Sequence, residues 1–306
     1  MMVNLLYCFD NNYNFQAFSS IISILDKISE KINIYVIHTN QDNSEFFPNN
    51  IRKHINLNKL EVFKFKKNSI VFPNVYNSHV SEATYYRMFC TDYLPKDLES
   101  ILYIDADIIC VRDPLDQIKK NTFDLLEQNF TISSKTELLK NDSTMKVFNR
   151  LDLKNNQYFN AGVMNINLSK WRELSIDFFE LLETQASKLY YWDQDLLNYI
   201  FDGDYLELNE NLNKVVDFAF FEYMKEKIVI DDVIQESLFI HFAGSHKPWS
   251  VNGIMCNLSD IYIKEFRKVS NNNFHIVHKM RSYSIYVLFK NFVNFKFFRI
   301  EKRIYF

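Results

Sequence analysis

The chain has 306 residues, with 35 lysines and arginines against 38 aspartates and glutamates, a formal net charge of −3, and a hydrophobic content of 47%. Such a length suits one large α/β domain that buries about three quarters of its unfolded surface, and the near-neutral, slightly acidic balance leaves nucleic acid out of the expected partners. No stretch of eighteen apolar residues is present to span a membrane, and Val3 to Phe9 runs directly into Asp10, Asn11 and Asn12 without a signal-peptide pattern.

The four cysteines, Cys8, Cys90, Cys110 and Cys256, form no C-x-x-C pair and read as reduced core residues of a cytoplasmic protein. Glycine occurs only at positions 162, 203, 244 and 253. Average usage would give about twenty, so each survivor is expected where a side chain cannot be accommodated.

In chain order, Val3–Phe9 reads as a buried strand and Phe15–Ile28 as a helix with apolar residues at three-and-four spacing. Ile32–Ile37 and Lys59–Phe65 are the next strands, Ser81–Tyr93 a helix ended by Pro95, and Ile101–Ile104 a short central strand. Asp113-Pro114 predicts a helix start, with Asp as cap and Pro in the first turn. Further on, Tyr158–Ile166 reads as a strand, Ser169 as the cap of one long helix to about Lys188, Gln194–Phe201 as a helix, and Leu238–Phe242 as a late strand. Alternating strands and helices over the first hundred residues imply a mostly parallel central sheet, whose ligands bind beyond the carboxyl ends of the strands.

The end of the chain has a different composition. Between Lys279 and Phe306 seven cations face one acid, Glu301, so this stretch carries +6 and the rest of the chain −9. On a helix, Ile285, Leu288, Phe289, Phe292 and Phe295 would form an apolar stripe flanked by basic residues, the pattern of a segment lying on an anionic membrane surface. Residues 1–270 are therefore expected to form the catalytic domain and 271–306 a membrane-associating extension.

Four constellations carry candidate chemistry. Asp105-Ala106-Asp107 puts two carboxylates at a strand end, where they can offer oxygen ligands to a divalent cation that neutralises a diphosphate. His241 follows a strand and precedes Gly244, Lys247, Pro248 and Trp249. An imidazole beside two carboxylates suits Mn²⁺ better than Mg²⁺, and Lys247 can meet a phosphate. Phe159-Asn160-Ala161-Gly162-Val163 reads either as a β-bulge or as backbone lying against a sugar or nucleotide. Trp192-Asp193-Gln194-Asp195 reads either as a capped helix start or as an acid and amide pair for a substrate.

In this order, together with Asp10-Asn11-Asn12-Tyr13 and Ala83-Thr84-Tyr85-Tyr86-Arg87, these motifs resemble the family 8 glycosyltransferases, in particular the bacterial lipopolysaccharide glucosyl- and galactosyltransferases. The matched pieces span residues 10 to 249. The resemblance implies a single-domain GT-A fold, a UDP-sugar donor, and a metal, Mn²⁺ with Mg²⁺ as the other candidate, held by Asp105, Asp107 and His241. It further implies that Asp10, Asn12 and the Cys8 backbone meet the uridine, and that Arg87, Asn160, Asp193 and Gln194 orient the donor sugar. Gly244 and Lys247 would hold the diphosphate, with Asp105, Ala106, Ala161 and Gly162 completing the donor site.

Transfer with retention is expected, with Asp193 and Gln194 as the catalytic candidates and Gln194 steadying the reacting sugar during front-face attack. The implied acceptor is an oligosaccharide or lipid-linked glycan at the cytoplasmic face of the inner membrane. Two alternatives stand beside this reading: a metal-dependent nucleotidyltransferase, which should carry a glycine-rich triphosphate loop near its start, and a non-catalytic glycan-binding protein of the same fold. The chain has no glycine before Gly162.

Overall fold

The computed structural model describes residues 1–67, 71–73, 80–137, 143–218, 230–250, 253, 256 and 258–270, with Phe289 and Val293. The basic, aromatic extension therefore lies outside the described residues apart from those two positions. The strands are β1 (Asn4–Phe9), β2 (Ile32–His38), β3 (Leu57–Lys64), β4 (Ser100–Ile104), β5 (Ile108–Cys110), β6 (Ile132–Thr136), β7 (Phe159–Asn167), β8 (Leu206–Glu207), β9 (Lys214–Val215) and β10 (Phe239–His241). Seven of them form one sheet in the order β3-β2-β1-β4-β7-β6-β8, and β5, β10 and β9 form a small second sheet.

In the large sheet β2, β4 and β3 extend β1 in parallel fashion, whereas β7 runs antiparallel to β4 and β6. The central strands are apolar on both faces because helices cover both sides. Successive side chains of a strand point to opposite faces, so the hydrophobic residues divide between two cores. Leu5, Tyr7 and Phe9 join Ile34, Val36, Leu102 and Ile104 under helix α1 (Asn14–Leu25). Leu6 and Cys8 join Tyr35, Ile37, Ile101 and Tyr103 on the opposite side. Tyr7, wholly buried, bonds Ser20 on α1 through its hydroxyl at 3.0 Å, so burial leaves no polar atom of the ring unsatisfied. All four cysteines are buried free thiols, as their apolar surroundings in the sequence predict.

Three helical expectations change in detail. The segment capped by Ser81 is wound as a 3-10 helix, Glu82–Asp92, with Tyr85 to Cys90 buried without interruption. Asp113 still serves the helix over Leu115–Glu127, its carboxylate accepting the Leu115 N–H at 3.0 Å, but Pro114 takes the cap position and the first turn begins after it. The long helix expected from Ser169 to Lys188 is instead two: one over Leu168–Glu173, capped by Asn167, and one over Phe178–Gln185. Asp177 causes the break. Its side chain accepts from the Phe179 and Glu180 N–H groups, a competing cap in mid-segment, while Leu174 is extended.

The helix over Trp192–Phe201 is fastened to the start of β7 by one side chain. Buried Asn198 accepts the Phe159 N–H at 2.7 Å and donates to the Phe159 carbonyl at 2.9 Å, taking the place of a neighbouring strand. Asn198→Ala would leave two buried backbone groups unpaired, and a loss of about 2–4 kcal/mol is expected. For a domain of this size that lowers the melting temperature by roughly 5–12 °C. Thermal unfolding of the two proteins checks it, and coincident melting curves would contradict the assignment.

Candidate active site

A cavity of about 400 Å³ opens where the two sheets meet, within the usual range for small-molecule sites. The junction is made by the peptide between β4 and β5. On one side Asp105 donates its N–H to the Gly162 carbonyl of β7 at 2.9 Å, and on the other the Phe242 N–H reaches the Asp107 carbonyl at 3.1 Å. In the small sheet His241 pairs with Ile108, the residue after Asp107. Strand register therefore brings His241 to the two carboxylates across more than 130 positions of sequence.

His241 Nε2 stands 3.4 Å from Asp107 Oδ1 and 4.0 Å from Asp105 Oδ2, and one donor atom from each residue lies within 4.8 Å of the others. Atoms sharing one ion are on the order of 4 Å apart, so the spacing fits a divalent cation. Asp107 Oδ1 is buried and accepts no hydrogen bond from the protein, which is costly for a carboxylate oxygen unless a ligand satisfies it. Asp107 Oδ2 pairs with Lys247 Nζ at 2.5 Å, and the same ammonium donates to the Phe242 carbonyl at 2.7 Å. Burial opposes ionisation of Asp107, but Lys247 and His241 outweigh it and hold its carboxyl below the ordinary range.

Behind this group lies Arg87, 2% exposed, stacked 3.7 Å over the Tyr103 ring. It donates to Asp105 Oδ1 at 2.9 Å and to the carbonyls of Thr84 and Ala161, and its Nε lies 3.0 Å from Asp193 Oδ2. Tyr103 also donates to Asp105 Oδ1. Arg87 thus lines the cavity while its N–H groups orient the carboxylates of Asp105 and Asp193. Burial pushes the Asp193 carboxyl up to about 6, with Arg87 and the Thr84 hydroxyl restraining the rise. Both readings of this motif meet at Asp193: it lies with Asp195 in the first turn of its helix, though Tyr191 is the cap residue, and its side chain also bonds the Thr84 hydroxyl on another element.

Gln194 is fixed at three points: its Oε1 accepts the Ala161 N–H at 3.0 Å, and its Nε2 donates to Glu137 at 3.1 Å and to the Tyr158 hydroxyl at 3.2 Å. Asn160, Ala161 and Gly162 line the cavity with Cys8, Ala106 and Gly244. The bulge and lining readings of this motif hold together, because the β6–β7 register jumps from Ser134–Met164 to Lys135–Asn160, pushing out the intervening residues. Gly244 has φ +74°, and a Cβ there would meet the Asp217 carboxylate at 2.5 Å. Asp10 and Asn12 stand apart from the lining residues: Asp10 caps a short 3-10 turn by accepting the Asn12 and Tyr13 N–H groups.

Several residues in or behind the cavity carried no signal in the sequence. Glu137 sits beyond β6 in a polar run that reads as a solvated edge, yet burial pushes its carboxyl up. Asn213 follows Asn209 and Asn211 in what reads as a turn, yet it is wholly buried against His241. Asp217, Tyr190 and Tyr191 also line the cavity. Asp105, Asp107, Glu137, Asp193 and Asp217 together outnumber Arg87 and Lys247, so a diphosphate would be repelled unless a cation entered with it.

The sequence match to the family model Glycosyl transferase family 8 runs over residues 4–253. The chain belongs to that family. A lipopolysaccharide 1,2-glucosyltransferase of Escherichia coli is 29% identical over 80% of this chain and 73% of its own length. A lipopolysaccharide 1,3-galactosyltransferase of Salmonella typhimurium is 24% identical over 80% and 72%. Among solved structures, the galactosyltransferase LgtC in complex with donor and acceptor sugar analogs superposes with a TM-score of 0.69 at 20% identity, covering 88% of this chain and 96% of that one. The glycosyltransferase GlyE of Streptococcus pneumoniae gives 0.61 at 16% identity, over 92% and 67%. The fold of this family 8 glycosyltransferase is of the GT-A type.

Gly162 is the wall against which the His241 ring rests: a Cβ built there would stand 2.3 Å from His241 Cε1 and 2.8 Å from Nδ1. Gly162→Ala must therefore displace the imidazole. A displacement on the order of 1 Å is expected to slow glycosyl transfer about a hundredfold. Initial rates beside a thermal melt check this, and an undiminished rate would show that the ring has room to move.

Proposed function

We propose that the protein is a retaining hexosyltransferase that moves glucose or galactose from a UDP-sugar to a lipopolysaccharide, lipooligosaccharide or related surface-glycan acceptor. The observation that carries this reading is the Asp105–Asp107–His241 group, with the orphaned Asp107 Oδ1, on the acidic wall of a 400 Å³ cavity in a family 8 chain. Asp105, Asp107 and His241 are the residues that would hold Mn²⁺ or Mg²⁺. When bound, such an ion supplies charge neutralisation for the diphosphate leaving group.

Lys247, at the same wall, adds a second positive charge where negative charge accumulates as the sugar–phosphate bond breaks. Asp193 Oδ2 is ion-paired with Arg87 Nε at 3.0 Å but takes no hydrogen bond, which leaves it suited to accept a sugar hydroxyl. Gln194 keeps the second lone pair of its Oε1, and its rigid three-point support suits a group that must steady positive charge without reorganising. Cys8, Ala106, Asn160, Ala161, Gly162 and Gly244 would form the donor cradle, with Asp10 and Asn12 at its nucleoside end. We assign transfer to residues 1–270 and membrane contact to 271–306.

The decisive test mixes the protein and Mn²⁺ with a panel of UDP-sugars and measures UDP release, with and without truncated lipopolysaccharide. Release from one donor, accelerated by acceptor, is expected. Chelation with EDTA should abolish it, and Asp105→Ala, Asp107→Ala and His241→Ala should each lower it on the order of a hundredfold or more with little change in melting. Unchanged turnover in EDTA would remove the metal from the reaction.

No helix among the described residues is long and apolar enough to cross a membrane. Attachment to the cytoplasmic face would instead rest on the +6 of residues 279–306, at about 1 kcal/mol per cation near an anionic surface. Deleting these residues is expected to abolish sedimentation with anionic liposomes, leaving transfer to a soluble acceptor intact. Equal sedimentation of the full-length and shortened proteins would refute the anchor.

A further inference from the structure

The metal-site histidine is held by a relay of fixed hydrogen-bond roles. It starts at a backbone donor, which cannot be reversed: the Gly162 N–H points at the side chain of Asn160 at 3.0 Å, so the Asn160 atom it meets is the oxygen, Oδ1. Asn213 approaches the same oxygen at 3.0 Å and must do so with its amide nitrogen. Its other terminal atom is then the oxygen, and this lies 3.0 Å from His241 Nδ1. An oxygen with lone pairs there requires a proton on Nδ1. Neutral imidazole carries one N–H, so the lone pair falls on Nε2, the nitrogen facing Asp105 and Asp107.

Packing supports the relay. Asn213 has no exposed surface, and Gly162 closes one side of the His241 ring. Asn213 is placed by the same strand that places His241: β9, which begins at the next residue, pairs in parallel with β10 through Val215 and His241. At the other end, Asn160 Oδ1 is saturated by two donors, so the Asn160 amino group points away from them, toward Glu137.

We propose that Asn213 is a positioning residue of the metal site, which locks His241 in the Nδ1–H tautomer and presents the Nε2 lone pair to the cation. This rests on the reading that Asp105, Asp107 and His241 bind a divalent ion, but the tautomer itself is a property of the metal-free protein. Partners that fix the ring orientation of a ligating histidine are commonly worth a factor of 10–100 in metal affinity.

Two measurements test it. In metal-free protein, long-range ¹H–¹⁵N correlation of the neutral ring should show His241 as the Nδ1–H form, its signals assigned by their loss in His241→Gln. An Nε2–H form would overturn the proposal whether or not metal binds. In the second, Mn²⁺ is titrated and the free ion followed by electron paramagnetic resonance. Asn213→Leu, of similar size but without the acceptor, is expected to bind 10–100-fold more weakly, and Asn213→Asp, which keeps an acceptor for Nδ1, within about threefold of the unaltered protein. Equal affinity in Asn213→Leu, or equal weakness in both variants, would overturn the proposal. Failure of the unaltered protein to bind Mn²⁺ would instead overturn the metal reading on which it builds.

Discussion

The geometry of the site depends on the three-residue peptide Asp105-Ala106-Asp107 being held between two sheets. Its first residue is bonded to β7 through the Gly162 carbonyl and its last to the end of β10 through the Phe242 N–H. Backbone hydrogen bonds of this kind leave little freedom, because breaking either would strand a buried polar group. The two carboxylates are therefore fixed by the frame of the fold. The same two partners also deliver Gly162, the wall of the imidazole, and His241 itself.

Gathering so many acids in a half-enclosed space is unfavourable, and the structure offsets it in two ways. Arg87 is buried flat on Tyr103, reaching Asp105 and Asp193 together, a geometry that a planar guanidinium can meet and an ammonium cannot. Lys247 pairs with Asp107 at 2.5 Å. Asp107 Oδ1, left without a hydrogen-bond partner, stands 3.4 Å from His241 Nε2. The acidic wall is where Asp105, Asp107 and His241 could hold a cation.

A second feature is that Arg87 and Gln194, on different elements, are fastened to one backbone segment. Ala161 accepts Arg87 at its carbonyl and donates its N–H to Gln194, so the bulge in β7 joins the cationic support behind Asp105 to the Gln194 amide. Ser134 lies within hydrogen-bond reach of the Asn160 and Val163 carbonyls, 2.7 and 2.9 Å away, and satisfies the bulge from below. The extra residues that interrupt the ladder would otherwise leave unpaired carbonyls in the core.

Local pattern determined much of this protein. Strand positions were legible wherever apolar runs met polar turns, as in Val3–Phe9 and Ile101–Ile104, because both faces of those strands are buried. Asp105 and His241 were legible because each stands at the end of such a run, where ligands bind, and Asp107 because it repeats the carboxylate two residues on. The long helix after Ser169 was misread because helical spacing cannot reveal that Asp177 caps a second helix in mid-segment. Asn213 and Glu137 were beyond reading, since polar residues in polar stretches look solvated until distant chain covers them, and the run around Arg87 does not show which carboxylates it supports. Which residue meets which, and with which atom, depended on strand register across more than a hundred positions. Hydrogen-bond roles propagate through such contacts, and spacing along the chain does not encode them.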